Sequence, residues 1–181
     1  PSYSYNSNVN GIKSGWPMCS GIGKVKGLEI SWFYSGTDNI NGAQLSWISC
    51  ANKELYGAQG CFIFNYSESS LIGVQASFVN VSGDVKGLQA SGFNYSGNMR
   101  GFQPGLIGNI SKDLNGCQMG IFNVANATKG FQAGAVNAAD ELTGMQLGVV
   151  NTAKKQGVQF GLINYIEGGV LPFFPLLNFS M

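Results

Sequence analysis

Hydrolytic and transfer chemistry draws on few side-chain types, and this chain is poor in them. None of its 181 residues is a histidine. That removes Ser-His and Cys-His catalysis and the commonest transition-metal ligand. Asp140 and Glu141 are the one adjacent acidic pair. Two carboxylates can divide general-acid and general-base roles, but neighbours within one turn read as solvated charges. Gly-x-Gly patterns recur, yet none opens a helix in a βαβ unit, so no phosphate cradle is expected. The reading is therefore of a non-enzyme with no catalytic residue, cofactor or metal.

Composition narrows the class further. Ten Lys and Arg nearly balance nine Asp and Glu, and charged residues make up only 10% of the chain. No basic field exists to hold nucleic acid. No run of about 18 apolar residues appears, so no transmembrane helix is expected. No signal peptide is visible either, because Pro1 does not lead into a charged segment followed by an apolar one. A start at Pro1 suggests a processed or trimmed product and is compatible with export.

What organises the chain is a repeat. Gly-apolar-Gln begins at Gly42, Gly57, Gly73, Gly87, Gly101, Gly116, Gly130, Gly144 and Gly157, with Gly27-Leu28-Glu29 and Gly11-Ile12-Lys13 as variants. A Gly or Ser follows four residues after most of these glycines, and an Asn about three residues later, as in Gly148 and Asn151. Short alternating runs with β-branched and aromatic residues read as strands. About 14 residues at roughly 3.3 Å each suit two short strands and two turns. The expectation is an all-β, single β-solenoid of about eleven coils: a looser coil over 1–26, regular repeats over 27–169 and a C-terminal cap over 170–181. Pro172 and Pro175 in that last segment lack amide donors and would stop strand addition.

Charged residues fall late in each repeat or directly before its glycine, as at Lys53, Glu54, Arg100 and Lys129. One turn of every coil should therefore be solvated. Alternation puts Gln on one side of the strand and the second, fourth and sixth residues on the other. In two coils the latter are Phe131, Ala133 and Ala135, then Met145, Leu147 and Val149. Burial at about 25 cal/mol per Å² favours the apolar set inside. That leaves Gln44, Gln59, Gln75, Gln89, Gln103, Gln118, Gln132, Gln146 and Gln159 as an exposed ladder. The opposite arrangement would stack the amides inside and leave an apolar exterior in need of an oligomer or membrane contact.

Trp16, Trp32 and Trp47 share the sixth place of the first three copies, and Phe78 continues their column after an irregular coil at Phe62 and Ile63. The expectation is an aromatic-filled core; the alternative is an exposed platform for a sugar or a protein. Cys19 and Cys50 hold equivalent places two coils apart, about 9.6 Å, too far for a disulfide. Cys61 and Cys117 occupy other places, and buried free thiols are expected throughout. Asn65, Asn80, Asn94, Asn109, Asn126 and Asn178 match glycosylation sequons, though four of them occupy the repeat's own Asn turn.

Gly144 to Asn151 carries Gly-apolar-Gln-apolar-Gly-apolar-apolar-Asn, and Val170 to Phe179 forms a terminal segment containing Pro and Phe. In both features the chain resembles the bacterial surface-repeat proteins, from about Gly27 to Met181. The resemblance implies an exported or surface β-solenoid and supplies no catalytic residues. The expected function is a structural, adhesive or assembly role at the cell surface. Its partners would be a protein or a glycan, or further copies meeting through a flat face. The competing reading is a receptor-, glycan- or ice-binding module using a repetitive face or the tryptophan column. Regular threonine ranks would favour ice, and only Thr37, Thr128, Thr143 and Thr152 are present.

Overall fold

The computed structural model describes residues 2–4, 8–169 and 171–180. Every regular element among them is a strand. In chain order these are β1 (Ser2–Ser4), β2 (Val9–Gly15), β3 (Met18–Ser31), β4 (Tyr34–Ser46), β5 (Ser49–Gly60), β6 (Phe64–Ala76), β7 (Val79–Met119), β8 (Phe122–Lys155), β9 (Gly157–Ile166) and β10 (Leu176–Ser180). The chain divides into two compact units, Pro1–Gly92 and Phe93–Met181.

Within each unit the ladders are parallel and offset by one repeat. In the first, Gly27 pairs with Gly42, Gly42 with Gly57, Gly57 with Gly73 and Gly73 with Gly87. In the second, Gly116 pairs with Gly130 and Gln146 with Gln159. A chain that meets itself one repeat later, always in parallel, is a β-solenoid, as the repeat predicts. Each coil turns twice. One turn interrupts the strands at the aromatic place, at 32–33 and 47–48. The other carries register shifts, at Gly21/Lys24 and Asn52/Glu54, next to the charged residues.

The repeat glycine is required by both conformation and space. Gly130 has φ +136°, and a Cβ there would stand 2.1 Å from the carbonyl oxygen of Gly116, one coil back. No other residue type combines that φ with so close an approach.

The interior is not the one that transfer energies predict. All nine repeat glutamines, Gln44, Gln59, Gln75, Gln89, Gln103, Gln118, Gln132, Gln146 and Gln159, are buried. Phe131, Ala133 and Ala135 are half-buried, and Met145, Leu147 and Val149 are exposed. The apolar share of the core comes largely from the residue two places before most repeat glycines: Val25, Ile40, Leu55, Leu71, Val85, Met99, Leu114 and Leu142. Area bookkeeping counted only the apolar surface. It omitted what a stack of amides gains when every member bonds to the next in a medium of low dielectric.

At the C-terminal end the topology changes. β10 runs antiparallel to β9, with Asn178 opposite Gln159, and Tyr165 bridges to Phe173. The buried Asn178 amide donates to the carbonyls of Leu171 and Pro172.

Candidate functional site

Two amide ladders run inside the coils, and they point in opposite directions. Within each unit, glutamines donate from Nε2 to the glutamine one coil back. The bonds Gln59 to Gln44, Gln75 to Gln59 and Gln89 to Gln75 measure 3.0, 2.7 and 3.0 Å. In the second unit, Gln118 to Gln103, Gln132 to Gln118, Gln146 to Gln132 and Gln159 to Gln146 measure 2.7–2.9 Å. The asparagines donate forward, from Asn65 to Asn80, and from Asn94 through Asn109, Asn123, Asn137 and Asn151 to Asn164. Their Nδ2 groups also hold carbonyls of the next coil, such as Leu147 for Asn137 at 2.9 Å. The opposed directions account for two unpartnered acceptors. Asn65 Oδ1 begins one ladder and Gln159 Oε1 finishes the other.

The glutamine ladder begins on an ion pair. Glu29 occupies the glutamine place and is fully buried; its Oε2 accepts from Gln44 at 2.7 Å and its Oε1 from Thr37 at 2.5 Å. Lys13, in the same place one coil earlier, lies 3.2 Å from Glu29 Oε1 and donates to Thr37. The variant repeats at Gly11 and Gly27 therefore supply one positive and one negative charge that balance each other inside.

Outside, charge and apolar surface are segregated. Counting from each repeat glycine through the eighth residue after it, the only charged side chains are Lys13 and Glu29, both buried. The rest lie on the turn that precedes the next glycine. There Lys53 meets Asp38, Lys154 meets Asp140 and Lys155 meets Glu141, at 2.7–3.1 Å across neighbouring coils. The hydrogen bond from Lys155 holds the Glu141 carboxyl below its ordinary value. The acidic pair thus sits in solvent, each member engaged by a lysine.

The opposite turn carries the aromatic column, and it faces outward. Trp16, Trp32 and Trp47 are 69%, 52% and 64% exposed, and Phe78 is exposed too. The core-filling expectation fails because the turn projects its sixth residue away from the coil, with only rings of adjacent coils beside it. Phe62, placed in an irregular coil by the sequence reading, belongs to the column. Its ring lies 6.1 Å from that of Trp47, which lies 6.3 Å from Trp32, itself 5.5 Å from Trp16. Backbone bonds from Trp47 to Trp32, Phe62 to Trp47 and Phe78 to Phe62 fix the spacing.

All four cysteines are free thiols. Cys19 and Cys50 are buried, whereas Cys61 and Cys117 are partly exposed. The sequence reading missed the meeting of Cys50 with Cys61. The interaction between the two thiols lowers the Cys61 pKa to about 7 and raises that of Cys50. Among the sequons, Asn65, Asn80, Asn94, Asn109 and Asn178 are buried, and Asn126 alone is exposed. Comparison with protein-family models, curated proteins and solved structures finds no match.

Proposed function

We propose that this chain is a non-enzymatic, exported or cell-surface repeat module that works by association through its outer faces. One observation carries the reading: amide side chains take up much of the interior while large apolar ones, such as Leu106, Leu147 and Leu162, stand in solvent. Exposed apolar surface of this extent marks a contact surface. The resemblance to bacterial surface-repeat proteins adds the cellular location. The test is labelling of intact producing cells with a membrane-impermeant amine reagent. Modification of the exposed Lys53, Lys154 and Lys155 before lysis is the expected result. Modification only after lysis would refute the surface location.

The exposed aromatic column favours a second reading, a stacking platform for a glycan. Under it Trp32→Ala abolishes glycan binding and changes stability by under about 1 kcal/mol, the usual range for surface substitutions. Unchanged glycan binding by that variant would remove the platform.

A further inference from the structure

We infer that the outer faces are built for lipid: each unit dips its aromatic or aliphatic turn into one leaflet of a bilayer and keeps its charged turn in water. The inference rests on the association reading above and names the partner.

Four features support it. First, the apolar surface wraps three sides. In the second unit it covers one sheet face at Met119 and Leu147, the turn at Leu106, Ile121 and Leu162, and the other face at Ile110, Phe122 and Tyr165. The first unit repeats this with Val74, then Trp47 and Phe62, then Phe64 and Tyr66. A second copy docked on one flat face would leave the turn and the other face wet, whereas acyl chains surround all three. Second, polar groups are handled as lipid demands. Backbone groups pair coil to coil, and the Gln and Asn amides bond each other inside.

Third, the depth fits. The uncharged strand from a repeat glycine to the fifth residue after it spans about 16 Å at roughly 3.3 Å per residue. That is about half of a hydrocarbon core roughly 30 Å thick, so the turn reaches the bilayer middle without crossing. Fourth, Tyr66, Tyr95 and Tyr165 sit on the outer face a few residues before the charged turn. At this depth they meet the headgroups, where the amphipathic ring is favoured. The charged turn then lies at the surface with its lysine–carboxylate pairs in water.

The test uses the full chain and phosphatidylcholine vesicles in 0.5 M salt, which screens headgroup attraction. Flotation is expected to carry the protein with the vesicles. Bromine placed mid-chain on the lipid should quench the tryptophans more than bromine near the headgroup. Leu147→Lys puts a charge at hydrocarbon depth and should lower vesicle partitioning at least tenfold. Lys154→Gln on the charged turn should leave it within about twofold. A folded chain that stays with the aqueous fraction as a discrete oligomer, its tryptophans shielded from iodide without lipid, overturns the lipid inference and preserves association. A monomer that neither floats nor self-associates overturns the lipid inference and association between copies alike. Equal partitioning of Leu147→Lys and the parent chain also overturns the insertion.

Discussion

Gln44 donates from Nε2 to Glu29 Oε2 at 2.7 Å, so the glutamine ladder of the first unit begins on a buried carboxylate. An amide ladder whose donors all point one way needs an acceptor at its first step. Glu29 supplies it, and Lys13 neutralises the charge.

Replacing Glu29 with Ala should therefore cost about 3–5 kcal/mol, because it strands the buried Lys13 ammonium and removes the acceptor for Gln44. The double variant Lys13→Met, Glu29→Gln removes both charges and extends the ladder by one amide. It should lose less than half as much in urea unfolding. A double variant as unstable as Glu29→Ala would show that the amide cannot replace the carboxylate.

Cys61 should react with iodoacetamide half-maximally near pH 7, since the Cys50 thiol stabilises its thiolate. Below that pH the sulfur is protonated and unreactive; above it the thiolate dominates. Cys50→Ala removes this partner and should shift the midpoint up toward the ordinary thiol value of about 8.5. Rates measured from pH 5 to 10 with mass-spectrometric site assignment decide it. An unshifted midpoint in the variant would dissociate the two thiols.

β10 covers the edge of β9 with antiparallel bonds from Leu176 to Ser180. Ending the chain at residue 169 uncovers that parallel edge, which is a template for further strands. Sedimentation should then show aggregates or filaments where the parent shows none. A truncated chain with unchanged sedimentation and stability would assign β10 no protective role.

The coil was legible because glycine spacing reports it directly. Gly42, Gly57 and Gly73 recur at the coil length, and each recurrence reappears as a ladder pair. The inside was misread, although a signal for it existed. Alternation carried back through the glycine puts Leu142 on the same side as Gln146, and both are buried. An aliphatic residue two places before nearly every glycine is the core stripe, and Lys13 and Glu29 in the glutamine place mark the paired interior. Trp32 and Trp47 misled for a related reason. Their size argues for burial, but a residue at a turn apex has no opposite strand to pack against. The Cys50–Cys61 contact was beyond reach, since it depends on how the fifth residue of one coil meets the inward residue of the coil before.

Amide ladders share the core with a single aliphatic stripe, and the remaining large apolar side chains face outward. Equilibrium urea unfolding of Gln132→Leu and Leu147→Gln, two exchanges of opposite sense in the second unit, tests it most directly. Gln132→Leu leaves Gln118 Oε1 without its donor and takes from Gln146 one of its two acceptors. It should cost about 2–4 kcal/mol, while Leu147→Gln, at a position 50% exposed, should change stability by under about 1 kcal/mol. The reverse order, a tolerated leucine at 132 and a damaging glutamine at 147, would contradict the arrangement outright.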